Sequence, residues 1–157
     1  MKIANKIVSG GLILGSLLFI YSCGGGSSEA EEGEASKSVV EQESVDPMED
    51  KGIGPIKSIS IDAEINTELA ASGEKVYNEK CSACHKTETN YIGPAPKGIM
   101  NRRSPEWIMN MILNPEEMVQ KNDIAKNLLI EYNGAPMANQ NLTEEEARSV
   151  LEYFRTL

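Results

Sequence analysis

The sequence predicts an all-α domain of about four to five helices at residues 66–157, preceded by a disordered acidic linker. Two strong helix starts, at Ser104 and Thr143, are each followed by apolar residues at helical spacing. Residues 24–52 instead combine Gly, Ser, Glu and Lys with few apolar groups, a composition typical of disorder. A domain of about 90 residues has a small core, and aromatic residues are only 5% of the chain, so the composition favours an additional bound group.

The first 22 residues have the layout of an export signal, with a basic start followed by an apolar run. This run is too short and too rich in glycine for a membrane span. It ends at Ile20 to Cys23, ahead of three glycines, and resembles a bacterial lipobox, in which the cysteine takes the lipid. We expect a signal peptide at 1–22 and a lipidated Cys23. The alternative is a plain signal peptide, and both place the domain outside the cytoplasm, on the periplasmic side of a bacterial membrane.

Residues 23–65 are predicted to form a flexible acidic linker with an apolar arm at its end. The whole chain has 24 acidic and 15 basic residues, a net charge of −9, which makes nucleic acid a poor partner. Ten of the acidic residues, against three lysines, lie within residues 24–62. Ile59 and Ile61 would share one face of an extended segment, so the stretch from Ile53 to Ile65 can lie on the domain.

Cys81, Cys84 and His85 form a C-x-x-C-H run after a predicted first helix, Glu68 to Lys80. This run is typical of c-type haem attachment. Residues three or four apart share a helix face, so both cysteines can reach the vinyl groups of one porphyrin as thioethers. His85 would then present its imidazole to the iron. We therefore predict one covalent haem c.

Other interpretations of this run are weaker. A structural zinc site needs four Cys or His ligands, but the chain has one His, and Cys23 is far away. A thioredoxin-like dithiol belongs beside a βαβ pattern, whereas the residues before Cys81 are helical. An ordinary disulfide would leave His85 unexplained.

Two helices are predicted between the haem run and residue 134. The first begins at Ser104, with proline at the first helical position, and ends at Asn114, after which a short turn follows to Met118. The second extends from Asp123 to Asn133 and is ended by Gly134.

The last helix begins with a capping box formed by Thr143 and Glu146. Its apolar residues then recur at helical spacing and form one buried stripe. The residues of this stripe are Ala147, Val150, Leu151 and Phe154.

The sixth ligand of the iron cannot be a second histidine of this chain, because His85 is the only one. Methionine, lysine, an N-terminal amine, water or an open position remain. Met137 follows Gly134 and Pro136, which favour a helix end and extended backbone, so we predict it as the ligand. The other methionines beyond the signal lie in the linker, in a turn or in helical patterns: Met48, Met100, Met109, Met111 and Met118.

These features, taken in order, resemble a monohaem class I cytochrome c. The similar segments are the first helix around Gly73 to Tyr77, the Cys81–His85 run, the loop Ile92 to Gly98, Met137, and the closing helix Leu142 to Leu157. The resemblance covers most of the last 90 residues. Residues 101–133 resemble the family only in their general helical pattern and contain none of these similar segments.

The resemblance implies that the first and last helices cross at Gly73, with Tyr153 or Phe154 against it. It also implies that the loop containing Pro94 lies behind His85 and contributes to cofactor binding.

Three further residues are candidates for binding the haem propionates, because a buried carboxylate needs a charged or N–H donor. They are Arg102, Arg103 and Trp107. The alternative is that Trp107 belongs to the core and both arginines are solvated.

We therefore expect a lipid-anchored carrier of single electrons and not an enzyme. Ligation by His85 and Met137 would leave no position for a substrate and would raise the potential. The resemblance implies redox-protein partners, such as a quinol-oxidising complex and a terminal oxidase or reductase. Two alternatives remain: a haem enzyme or ligand sensor with an open sixth position, and a haem-free thiol or metal-binding lipoprotein.

Overall fold

The computed structural model describes residues 45–157. This part of the chain contains five α-helices and one short 3₁₀ turn, joined by loops, and no strand. The helices are α1 (Thr67–Lys80), α2 (Pro105–Leu113), α3 (Pro115–Lys121), α4 (Asp123–Glu131) and α5 (Glu144–Phe154), and the 3₁₀ turn covers Ile99–Asn101. The all-α prediction is confirmed. The predicted signal at 1–22 and Cys23 lie outside the described residues. Across 45–157, every helix is too short or too polar to cross a membrane.

The caps that the sequence predicts start both α2 and α5. Ser104 Oγ accepts a hydrogen bond from the Trp107 N–H at 3.1 Å. At α5, Thr143 Oγ1 accepts from the Glu146 N–H at 3.1 Å, and the Glu146 carboxylate accepts from the Thr143 N–H at 2.8 Å. These side chains satisfy amide groups that have no partner within the helix.

Two helix boundaries differ from the predicted ones. The residues after Asn114 form a full helix, α3, and not a turn ending at Met118, because Pro115 occupies the first helical position and Met118 is fully buried. Helix α4 ends before the predicted Asn133, since Asn133 and Gly134 both adopt positive φ, 57° and 73°.

Helices α1 and α5 cross at Gly73, the position that the family resemblance indicated. The contact itself differs, because a Cβ on Gly73 would collide with the carbonyl oxygen of Ser149, one turn before the predicted aromatic residues. Tyr153 and Phe154 pack instead on Tyr77, with ring centroids 5.4 and 5.8 Å away. Glycine is needed at this crossing because the two backbones touch.

Residues 45–66, called the arm below, are bound to the helices. The stretch from Ile53 to Ile65 packs against the core, as the sequence allowed, whereas residues 45–52 also contact the helices although their composition favoured disorder. The buried side chain of Asn110 accepts from the Ile56 N–H at 2.9 Å and donates to the carbonyls of Lys51 and Ile56, each at 2.8 Å. Ile56 is buried, and Ile59 and other arm residues pack against the core. Because Asn110 replaces water as the partner of these backbone groups, the packed part of the chain begins well before residue 66.

The end of the arm is held by Glu152 of α5, whose side chain is only 1% exposed. Its carboxylate accepts from the Asn66 N–H at 2.8 Å and pairs with Arg148 at 2.5 Å and Arg155 at 2.6 Å. Burial alone would raise the pKa of Glu152, but the hydrogen bonds from Arg148 and Asn66, together with both positive charges, hold it below its ordinary value.

We expect Glu152→Gln to destabilise the fold by roughly 2–4 kcal/mol at neutral pH, because it removes the partner of a buried charged group. The folded-state pKa lies below the ordinary value of 4.5, so this stabilisation is present above that pH and is lost as the pH falls through the folded-state pKa. Urea unfolding at pH 7 and at pH 3 would measure both effects. The exposed Glu145→Gln on the same helix is the control and should change little at either pH; an equal loss in both variants would contradict this role of Glu152.

Candidate haem site

Cys81, Cys84 and His85 lie in a tight turn at the C-terminal end of α1, and all three line one cleft. The N–H groups of Cys84 and His85 both donate to the Cys81 carbonyl, at 3.1 and 2.9 Å. Both thiols are free, with Cys81 half-buried and Cys84 exposed. The turn therefore presents two thiols and one imidazole to the same space.

The orientation of the His85 ring is set by the loop behind it. Its Nδ1 lies 2.8 Å from the carbonyl oxygen of Pro94, so Nδ1 carries the proton and donates, and Nε2 keeps its lone pair. Gly93 lies against the ring, since a Cβ there would be 2.8 Å from Nδ1. The Tyr77 hydroxyl donates to the His85 carbonyl at 2.7 Å, and burial raises the pKa of Tyr77 to about 12, which keeps this donor protonated. The ring is thereby prepared to bind a metal through Nε2.

The cleft beside this turn is lined mainly by apolar side chains from all five helices. None of the lining residues is a carboxylate. An apolar cleft next to two thiols and an imidazole suits a flat, largely apolar macrocycle that is tethered at one edge. The main apolar residues are Ile108, Met111, Ile112, Val119, Leu128, Leu129, Val150 and Phe154.

Two of the six methionines within 45–157 line the cleft, Met111 and Met137. Met118 faces the arm instead, and its Sδ accepts from the Ile53 N–H at 2.9 Å. Met109 is buried on the side that contacts the arm. The structure therefore reduces the candidates for a sulfur ligand to these two.

Met137 lies in the loop between α4 and α5. Gly134 turns the chain after α4 with a φ of 73°, and its N–H donates to the Leu129 carbonyl at 2.7 Å. Pro136 and Ala138 are exposed, whereas Met137 between them is half-buried and lines the cleft. The loop lines the cleft from Ala135 to Ala138, and Met137 is its only sulfur-bearing side chain there, whereas Met111 is fixed within α2.

Arg103 leaves a donor unused in the wall of the cleft. Its guanidinium lies 5.3 Å from the ring centroid of Trp107, and its Nε is buried with no acceptor among residues 45–157. Burial, together with the charge of Arg102, lowers the pKa of Arg103, which increases the need for a negative partner. An unpaired buried donor costs about 1–3 kcal/mol, and a haem propionate would supply the acceptor. The residues present therefore fit the group.

The other two predicted propionate donors already have partners in the protein. Arg102 donates to the carbonyls of Ala95 at 3.0 Å and Lys97 at 3.1 Å. The Trp107 indole N–H donates to Asn122 Oδ1 at 3.1 Å, so Trp107 contributes its ring to the cleft. Arg103 is the one of the three with a buried donor, Nε, that has no acceptor among residues 45–157.

The chemistry of the thiols opposes the haem-free alternatives. Burial, reinforced by Cys84, raises the pKa of Cys81 to about 11, whereas a reactive dithiol needs a lowered thiol pKa. Within the described residues, no three His, Cys, Asp or Glu side chains converge to hold a metal ion. A zinc site at Cys81 and Cys84 would therefore lack ligands.

The family model of cytochrome c matches residues 70–157, which is more than half of the chain. The chain belongs to the cytochrome c family. Cys81 and Cys84 occupy its haem-attachment positions, so this cytochrome c binds one covalent haem c and functions in haem-based electron transfer.

Solved structures agree with this assignment. The chain is similar to a cytochrome c from Rhodothermus marinus, with 43% identity over 66% of this chain and 88% of that one, and a TM-score of 0.64. An engineered form of the Rhodothermus protein is similar at 42% identity over 66% and 89%, with a TM-score of 0.63. A cytochrome c domain from Pseudomonas putida matches at 27% identity over 54% and 85%, with a TM-score of 0.50. No curated protein matches the chain.

Two residues that support this site, Asn122 and Tyr77, were not predicted from the sequence to do so. Asn122 could have been found as a helix cap, because it directly precedes the acidic first turn of α4. Its second contact, to Trp107, depends on tertiary packing and has no local signal. The same is true of the Tyr77 hydroxyl, whose partner is a backbone carbonyl eight residues later.

Proposed function

We propose that this cytochrome c is a lipid-anchored carrier of single electrons whose iron is bound by His85 and Met137. The proposal rests on two residues that line the same cleft. One is His85, whose Nε2 is free, and the other is Met137, which is half-buried on the α4–α5 loop. Met111 is the alternative sulfur, but it is fixed in the last turn of α2. A loop can bring its thioether to the iron without disrupting a helix.

The cofactor supplies reversible exchange of one electron at iron, and methionine with histidine raises its potential. The protein's part is to keep both ligands in place in both oxidation states. The Pro94 carbonyl holds the His85 ring, and Gly134 fixes the start of the Met137 loop. Little reorganisation is then needed when the charge of the site changes.

The side chains around the cleft favour a carrier over a haem enzyme. A haem enzyme needs an open sixth position and an acid or base beside it, but the cleft contains no carboxylate and one histidine, which its loop holds from behind. A related engineered protein from Rhodothermus marinus has been solved with a carbene intermediate bound, and that chemistry belongs to the engineered chain. Here we assign electron transfer and no substrate.

The exposed rim beside Cys84 is the proposed docking region for redox partners. Tyr91 and Ile92 are large apolar residues that are 61% and 47% exposed, and Lys86 lies 5.3 Å from the Tyr91 ring centroid. A small, partly apolar interface of this kind suits transient encounters. We propose as partners a donor such as a quinol-oxidising complex and an acceptor such as a terminal oxidase or reductase.

Reversible redox titration of the purified protein tests the carrier function. We expect a single one-electron transition, the same spectrum after repeated oxidation and reduction, and no turnover of hydrogen peroxide. Sustained peroxide consumption by the unmodified protein would favour the enzyme alternative.

The proposed anchor is a lipid on Cys23, which places the domain on the periplasmic side of a bacterial membrane. We expect Cys23→Ala to move the protein into the soluble fraction with its haem still attached, because Cys81 and Cys84 are unchanged. Membrane fractionation after a high-salt wash measures this, with Ser27→Ala as the control that should remain in the membrane. Retention of Cys23→Ala in the membrane would show that another part of the chain provides the anchor.

A further inference from the structure

A short chain of hydrogen bonds joins the arm to the wall of the haem cleft. Asp50, half-buried in the arm, accepts from Asn122 Nδ2 at 2.7 Å through Oδ2. Asn122 Oδ1 in turn accepts from Trp107 Nε1 at 3.1 Å. Trp107 is only 2% exposed and lines the cleft, so three side chains connect the arm with the cofactor site.

The carboxylate of Asp50 favours the same orientation of the Asn122 amide as the two donors to Asn122 Oδ1. Asn122 Oδ1 also accepts from the Ala125 N–H at 3.0 Å and so caps α4. A flipped amide would turn its NH₂ group toward two donors, Trp107 Nε1 and the Ala125 N–H, and leave both unpaired. Because a carboxylate only accepts hydrogen bonds, Asp50 adds the partner for Nδ2 in the one orientation in which all four groups are paired.

Asp50 is itself held in place by the arm and by α2. Its Oδ1 accepts from the Gly52 N–H at 2.7 Å, and its carbonyl accepts from Ser104 Oγ at 2.5 Å. Its charge also acts on Arg103, where Asp50 and Glu131 oppose the burial and the Arg102 charge that lower the pKa of that guanidinium. Asp50 thus affects both residues of the cleft wall that form the arginine–tryptophan pair.

We propose that Asp50 is a positioning residue for the haem site, which holds Trp107 in the cleft wall through Asn122 and places one negative charge beside Arg103. The arm therefore contributes to the redox potential as well as to the fold. A nearby negative charge favours the ferric state, which carries one more positive charge than the ferrous state, so Asp50 lowers the potential. The proposal deepens the electron-carrier function and rests on the haem site, but it does not depend on Met137.

The test compares Asp50→Asn with Glu49→Gln in the full-length haem protein. Both remove one negative charge from neighbouring positions, but Glu49 is exposed and its side chain makes no hydrogen bond or ion pair within residues 45–157. Trp107 is the only tryptophan, so its indole N–H gives one resonance in the reduced, ¹⁵N-labelled protein. We expect Asp50→Asn to accelerate hydrogen exchange of this N–H several-fold and to raise the midpoint potential. The control Glu49→Gln should leave the exchange rate unchanged and raise the potential less.

The variant Asn122→Ala tests whether Asp50 acts on the Trp107 indole N–H through Asn122. It should expose the indole N–H in the same way, and adding Asp50→Asn to it should not accelerate exchange further. The proposal is overturned if Asp50→Asn behaves like Glu49→Gln, or if the exchange effects of Asp50→Asn and Asn122→Ala add in full. If the red absorption band of Met-ligated ferric haem is absent from the unmodified protein and from every variant, that result counts against Met137 ligation. Failure of the proposed role of Asp50 can therefore be distinguished from failure of the proposed iron ligation.

Discussion

The Met137→Ala protein should keep its covalent haem but lose the weak red absorption of Met-ligated ferric haem. Its potential should fall by a sizeable part of the roughly 0.8 V range that axial ligands span, because methionine stabilises the ferrous state. The variant should also bind carbon monoxide, since the sixth position becomes open. Absorption spectroscopy, redox titration and carbon monoxide binding measure these three effects, whereas Cys81, Cys84 and His85 remain unchanged.

Two matched controls make this result specific. Met111→Ala removes the other methionine that lines the cleft, and Met100→Ala removes one that does not line it. Both should keep the red band and the potential close to those of the unmodified protein. If Met111→Ala or Met100→Ala loses the band and Met137→Ala retains it, the ligand is not Met137.

Gly73→Ala should destabilise the fold by about 3 kcal/mol or more, the upper part of the range for overpacking a tight contact. In an isolated helix the same change would stabilise by about 1 kcal/mol, because alanine is the better helix former. Here the added Cβ would collide with the carbonyl oxygen of Ser149, which belongs to the backbone of α5 and cannot rotate away. The clash therefore dominates, and urea unfolding measures it.

Ser72→Ala is the control for this change, because Ser72 is the exposed neighbour of Gly73 on the same helix. Its free energy of unfolding should stay within about 0.5 kcal/mol of the unmodified value. Equal stability of Gly73→Ala and Ser72→Ala would mean that the two helices do not approach as closely as the structure shows.

Local signals were sufficient to predict most of the helices and the residues that attach the haem. The Ser104 cap and the Thr143–Glu146 capping box act within one helical turn, so they are visible in the sequence, and both occur in the structure. The C-x-x-C-H run likewise identifies its residues as one site, because they are adjacent in the chain. The structure places them in a turn after α1, whereas the spacing argument had used a shared helix face.

The apolar residues from Ile53 to Ile65 indicated that the arm can lie on the domain, and most of them pack against the core. The hydrogen-bond partners of the arm could not be predicted, because they are distant in the sequence. Asn110 lies 54 positions after Ile56, and nothing near either residue indicates that a buried amide would bind the arm's backbone. The acidic composition of the segment also pointed to disorder, whereas Asp50 contacts Asn122, 72 positions later. Likewise, the indole N–H of Trp107 was predicted as a propionate donor because its protein partner, Asn122, was not visible in the sequence.

The absorption spectrum of the unmodified protein, with and without carbon monoxide, is the most direct test of ligation by His85 and Met137. With both ligands bound, we expect a low-spin spectrum with the weak red band in the ferric form, and a ferrous spectrum that carbon monoxide does not change. A ferric spectrum without that band, together with ready carbon monoxide binding by the ferrous protein, would contradict this ligation and show that the sixth position is open.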